Sequence, residues 1–244
     1  MDKLQLDQHI SQQFNADLEN LRTELLEMGG MVEKQLIDAV LAIETADAKL
    51  AEKVLENEKG VNDLEVSIDA ECTEILARRQ PAASDLRLVL IVSKAVRDLE
   101  RMGDEAAKIA RMALELSQEP APVHGFIELR HLAENVQKMM NDALNVFARF
   151  DVNGAIKVMR EDKKIDREYK SAMREMITLM MEDPRSISRV LNVIWALRSL
   201  ERIGDHARNI AEHVIYLVHG RDVRHVSIKQ IEKHIEKQID TNSL

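Results

Sequence analysis

The chain repeats itself. Shifting the sequence by 104 positions places Val32 on Val136, Asp38 on Asp142, Ala39 on Ala143, Asp47 on Asp151, Ala51 on Ala155, Val54 on Val158 and Val61 on Ile165. The shift becomes 103 where Pro81 meets Pro184, and 101 where Arg97 to Ala110 meets Arg198 to Ala211, a window with nine of fourteen residues identical. A period of this length makes each half one supersecondary unit and predicts a fold built twice from the same parts. Those parts are helices. Gly and Pro number only 8 and 4 in 244 residues, against 45% hydrophobic and 32% charged residues, a balance that favours long helices over turn-rich sheets or disorder.

Breaks fall at Ala46-Asp47, Gln80-Pro81, Pro120 with Pro122, Asp151 to Gly154 and Asp183-Pro184. They predict six helices over 10–45, 48–78, 84–118, 125–149, 153–182 and 185–219, with apolar residues three and four apart, as in Leu18, Leu21, Leu25, Met28 and Val32. The expected architecture is all-α: two tandem three-helix bundles, residues 1–119 and 120–224, followed by a polar tail at 225–244 that reads as frayed helix or disorder. Gly29-Gly30 predicts a kink or a close helix approach. Trp195 reads as core, the spaced Met173, Met176, Met180 and Met181 as core or inter-bundle packing, and Cys72 as a small apolar residue.

Composition excludes several functions. A net charge of −9 and 3% aromatic residues argue against binding nucleic acid, which needs positive charge and stacking platforms. A single cysteine permits no intrachain disulfide and fits a reducing compartment. No charge-free apolar run approaches the roughly 18 residues of a membrane span, and the N-terminus lacks the apolar core of a signal peptide, so a cytoplasmic protein is expected. Neither a polybasic stretch nor a lipidation signal is present, so membrane association is expected only through partners.

Within the repeated window stands Glu-Arg-x-Gly-Asp, as Glu100, Arg101, Gly103, Asp104 and as Glu201, Arg202, Gly204, Asp205. Acids four apart share a helix face and repel by about 0.2–0.5 kcal/mol, and a mid-helix glycine costs about 1 kcal/mol more. A hard cation held by carboxylate oxygens compensates both, with the glycine admitting a neighbouring helix. With 43 acids in the chain, about eight such pairs arise by chance, and Arg97, Arg101, Arg198 and Arg202 could pair with the acids on a solvated face. Duplication of the motif favours a site. Asp162 and Asp166 supply a second acidic pair upstream, and Glu58 and Asn62 hold the aligned positions in the first half. Glu128-x-x-His131 is a single copy of a motif that di-iron bundles need twice. His206 reads as surface, and His213, His219, His225 and His234 form no ligand pattern with one another. No phosphate loop, nucleophile elbow or Cys–His pair is present.

Arg79-Gln-Pro-Ala-Ala-Ser-Asp-Leu-Arg87, Asp98-Leu-Glu-Arg-Met-Gly-Asp104 and Leu200-Glu-Arg-Ile-Gly-Asp-His-Ala-Arg-Asn-Ile-Ala-Glu212 together resemble the PhoU family of bacterial phosphate-transport accessory proteins. The resemblance covers residues 10 to 225 and implies two three-helix bundles. It further implies a non-enzymatic cytoplasmic regulator, acting between the ATPase subunit of the phosphate ABC transporter and the sensor histidine kinase of the two-component system. Such a regulator holds down the phosphate-starvation response when phosphate is plentiful, and a homodimer is expected. By the same resemblance, metal ions (iron, zinc, manganese or magnesium) are held by Glu100 and Asp104 and by Glu201 and Asp205, helped by Glu58, Asn62, Asp162 and Asp166. Asn62 removes a charge that Asp166 retains, so the two sites are expected to differ. The competing expectations are a multinuclear-metal carboxylate enzyme and a purely structural module with solvated acids.

Overall fold

The computed structural model describes residues 12–81, 83–118 and 126–241. Their helices are α1 (Gln12–Thr45), α2 (Ala48–Arg79), α3 (Ala83–Ser117), α4 (Phe126–Arg149), α5 (Val152–Glu182), α6 (Ile187–His219) and α7 (Ile228–Thr241), with a 3-10 turn at Pro184–Ser186 before α6 and no strand among the described residues. The proline-flanked joint at 119–120 lies outside them.

The repeat extends to local chemistry. Asp47 caps α2 by accepting from the Leu50 N–H at 3.1 Å, and the equivalent Asp151 caps α5 by accepting from the Asn153 N–H at 3.0 Å. Each cap frees the chain to turn sharply, and the residue before it adopts a left-handed backbone: Ala46 at φ 53° and Phe150 at φ 52°. A left-handed non-glycine residue costs about 1 kcal/mol. Ala46→Gly is therefore expected to raise stability by up to about 1 kcal/mol, measured by urea unfolding at constant m-value.

α1, α2 and α3 form one bundle and α4, α5 and α6 the other, and the two meet along α1 with α4 and α3 with α6. Both seams are antiparallel. In the first, Gly29 faces Leu144, Glu33 accepts from Asn141, and Glu44 accepts from Arg130 at 2.8 Å. An exchange of α1 with α4, α2 with α5 and α3 with α6 thus relates the halves by a pseudo-two-fold axis between the seams. One apolar core runs through both bundles, from Leu21 and Met28 on α1 through Leu99 and Met102 on α3 to Phe147 on α4 and Leu200 and Ile203 on α6.

The Gly29-Gly30 pair leaves α1 unbroken, and Gly29 alone serves close approach: a Cβ there would lie 2.6 Å from Leu144 Cδ2, whereas one on Gly30 would meet nothing within 4 Å. Cys72 is buried, and desolvation pushes its thiol up to about 12, so it packs as an apolar residue. Trp195 is not core: it is 59% exposed, because α6 turns Val190, Val193, Ala196 and Leu197 inward and leaves position 195 outside. Met176 is buried, whereas Met181 is 79% exposed at the end of α5. The polar tail forms α7, whose Ile231 and Ile235 are buried, with Arg160 of α5 paired to Glu232. No helix among the described residues is long and apolar enough to cross a membrane.

Candidate metal centre and the seam between the repeats

In the second bundle, α6 brings Glu201 and Asp205 against Asp162 and Asp166 of α5. Their charges act on one another. Burial and the neighbouring Asp205, Asp166 and Asp162 raise the Glu201 carboxyl, with Arg198 opposing. Burial and Asp166 raise Asp205, and burial with Asp205 and Asp166 pushes Asp162 up to about 6 although Arg208 opposes it. Glu201 Oε2 is buried and makes no aligned hydrogen bond, its counter-charge being the Arg198 guanidinium. Arg198 lies 3.2 Å from Glu201, and Arg208 bridges Asp162 at 3.2 Å and Glu212 at 3.0 Å.

The first bundle is a weaker copy. Burial, then Asp104 and Glu65, raise Glu100, with Arg101 and Arg97 opposing. Glu58 is drawn to Arg111 at 3.3 Å, and Asn62 is exposed. Glu65, which aligns with Tyr169 and so escaped the repeat comparison, stands near Glu100 instead. The arginine has moved by one turn between the copies: Arg111 aligns with Glu212, and Arg208 aligns with Ala107.

No three Asp, Glu, His or Cys side chains converge as a ready ligand set among the described residues. The second-bundle donors nevertheless suit a hard divalent cation: four carboxylates from two helices, mutually repelling, with only Arg198 and Arg208 as counter-charges in contact among the described residues. The motif glycines contribute less than expected. A Cβ on Gly204 would make ordinary contact with Ile165 at 3.4 Å, and one on Gly103 would press Gln35 Oε1 at 3.3 Å. Gly204→Ala is therefore expected to be neutral or to stabilise by up to about 1 kcal/mol through helix propensity, as read by thermal unfolding.

The α3–α6 seam carries polar groups that sequence reasoning missed. Asp98, buried on α3, accepts from Asn209 at 2.9 Å and contacts His206 Nδ1 at 2.8 Å and His213 Nε2 at 3.0 Å, all on α6. Burial would raise its carboxyl, but the bonds from His206, His213 and Asn209 outweigh that and hold it at about 2. As an ionised carboxylate only accepts, both imidazoles donate to it. Under the 101-residue shift Asp98 corresponds to Ser199 and Glu105 to His206, and indeed Ser199 donates to Glu105 at 2.8 Å. The same seam pair is thus made twice, once on each side of the pseudo-two-fold axis. Arg202 reaches across to the buried Glu105 at 3.0 Å rather than to its own Glu201, and His206, expected at the surface, is part-buried. A second duplicated pair was also missed: Glu24 stands against Glu71 in the first repeat and Glu128 against Glu175 at the equivalent positions of the second, and each neighbour helps to raise the Glu71 or Glu175 carboxyl. The readable signal was acid aligned with acid at both positions under the 104 shift.

Two helical bundles joined by a pseudo-symmetric polar seam, each with an acidic face on its third helix, define a duplicated all-helical scaffold. The PhoU domain family matches residues 25–113 and 129–214, one match per repeat. The chain is 59% identical over 236 residues, 97% of its length and 98% of the relative's, to the phosphate-specific transport system accessory protein PhoU homolog of Pseudomonas aeruginosa. It is 49% identical over 234 residues, 96% of either chain, to the phosphate-specific transport system accessory protein PhoU of Escherichia coli. The crystal structure of PhoU from Pseudomonas aeruginosa superposes with a TM-score of 0.83 at 61% identity, covering 85% of this chain and all of that one. The phosphate transport system regulatory protein PhoU from Streptococcus pneumoniae gives 0.79 at 30% identity, covering 86% and 99%. The chain belongs to the PhoU family. Membership in a family of accessory proteins sets aside the carboxylate-enzyme alternative.

Proposed function

We propose that this protein is a cytoplasmic regulator of phosphate uptake. It acts as an adaptor between the ATPase subunit of the phosphate transporter and the sensor histidine kinase, and it restrains the phosphate-starvation response when phosphate is plentiful. The observation that carries this reading is identity at 59% and 49% over nearly the whole chain to proteins named as accessory to phosphate-specific transport. The acidic faces take divalent or iron cations, with Glu201, Asp205, Asp162 and Asp166 forming the stronger site and Glu100, Asp104 and Glu65 the weaker. The cation would offset carboxylate repulsion and tie α6 to α5. Phosphate itself finds little to attract it at those acidic faces, so sensing passes through partners or through the bound metal.

Deleting the gene is expected to leave phosphate-starvation genes expressed in phosphate-rich medium, and the wild-type copy to restore repression. Purified protein is further expected to bind the transporter ATPase and the cytoplasmic part of the kinase, and to sediment as a dimer. Normal repression in the deletion strain sinks the regulatory reading.

A further inference from the structure

We infer that Arg208 is a built-in competitor for the cation at the second-bundle acidic face: it holds Asp162 against the cation and releases it by falling back on Glu212. This rests on the metal reading and adds the residue that sets how readily the site fills. Arg208 stands between two carboxylates, with Nη1 3.2 Å from Asp162 Oδ2 on α5 and Nε 3.0 Å from Glu212 Oε1 one turn further along α6. The two acid side chains are only 5% and 4% exposed, so each depends on its charged partner more than a surface acid would. One guanidinium thus serves two buried acids, and Asp162 is the one that also feels Asp205 and Asp166.

Glu212 makes the exchange possible. With Asp162 as sole partner, a displaced Arg208 would be left part-buried and unpaired. With Nε still bound to Glu212, it keeps one charge-assisted bond while giving up the other. The arginine also stays beside the site. It therefore lowers affinity in two ways, by occupying a ligand and by presenting like charge to the cation. The site fills only above the cation concentration that this competition sets.

The first repeat builds the same competitor by another route. Glu58, which aligns with Asp162, is bound by Arg111 at 3.3 Å. Arg111 aligns with Glu212, and Ala107 takes the place of Arg208. Both upstream acids are thus held by an arginine of the third helix, from positions one turn apart. An arginine that recurs on the same acid from a different register is tied to that acid, not to the helix sequence around it. The two holds differ in strength. Arg111 and Glu58 are 46% and 24% exposed, and the arginine itself stands where the fallback acid would be, so the buried, two-position device belongs to the second bundle.

The test is calorimetric titration of the full-length protein with manganese, in a parent carrying Glu100→Gln and Asp104→Asn so that the second-bundle face alone is read. Arg208→Gln with Glu212→Gln removes competitor and fallback together. It leaves the net charge of the parent unchanged and strands no buried acid. A second neutral pair, Arg208→Ala with Glu212→Gln, places at 208 the residue that the first repeat carries there, and it decides the matter if the first pair fails to fold in chelator. Either is expected to bind manganese about tenfold tighter than the parent or more, the range over which neighbours of metal ligands act. Arg208→Lys, which keeps a cation between the two acids, is expected to stay near the parent affinity. Neutral pairs that bind no tighter than the parent overturn the competitor, and loss of the parent's binding on adding Glu201→Gln then leaves the metal reading standing. A gain in Arg208→Lys equal to that of the neutral pairs assigns the effect to packing and overturns it too. Binding by none of these proteins overturns the metal reading and this inference with it.

Discussion

Asp98→Ala is expected to cost about 3 kcal/mol of stability, because it leaves the donors of His206, Asn209 and His213 part-buried against an empty space at the centre of the α3–α6 seam. Ser199→Ala, at the equivalent position, is expected to cost less, about 1 kcal/mol, since Glu105 keeps Lys108 at 2.8 Å and Arg202 at 3.0 Å. The pH dependence separates charge from packing. Folding holds Asp98 at about 2, below the ordinary 3.8, so its stabilising contribution is complete above about pH 4 and is lost as pH falls toward 2. The gap is worth about 2 kcal/mol. Urea midpoints of wild type and Asp98→Asn measured from pH 7 down to pH 2.5 are expected to converge at the acid end. A constant difference across that range would show that Asp98 acts by shape alone.

The fold was legible because a duplicated sequence with few glycines and prolines leaves little choice but a duplicated bundle. The seam was not, because a repeat relates positions within each half and is silent on which helices meet between halves. Once α3 faces α6 antiparallel, Asp98 with His206 and Glu105 with Ser199 become the same contact. Trp195 was misplaced because the apolar run from Val190 to Leu197 hides its helical phase. Its equivalence to Lys94 carried the correct answer. In α7, Ile228, Ile231 and Ile235 already had i, i+3, i+7 spacing, but the polar residues between them lowered the average that marks a helix worth burying. The acidic faces were legible as far as one helix reaches. Glu100 with Asp104 and Glu201 with Asp205 follow from i, i+4 geometry, whereas the choice between Glu58 and Glu65 depends on where Arg111 lies.

Removing charge from the second-bundle acidic face is expected to have opposite effects with and without metal. In chelator, Glu201 stands beside Asp205, Asp166 and Asp162 with Arg198 as its counter-charge, and all three of Glu201, Asp205 and Asp162 are raised. A raised acid favours the folded state fully only below its ordinary value, and the benefit disappears as pH rises through its folded value. For Asp162 that window runs from about 4 to about 6 and is worth on the order of 2–3 kcal/mol. Metal-free wild type is thus expected to melt lower at pH 7.5 than at pH 5, and Glu201→Gln or Asp205→Asn to melt higher than wild type in chelator at pH 7.5. A divalent cation at one hundred times its dissociation constant adds about 2.7 kcal/mol to a protein that binds it only when folded. Manganese or zinc is therefore expected to raise the melting temperature of wild type well above that of Glu201→Gln with Asp205→Asn, reversing the order seen in chelator. Glu100→Gln with Asp104→Asn is expected to reverse less, because that face has exposed Asn62 where the other has Asp166, and because Arg111 already neutralises Glu58. If the metal-free ranking holds and added metal fails to reverse it, the acids are in conflict for some purpose other than a cation, and the arginines of a partner become the remaining counter-charge.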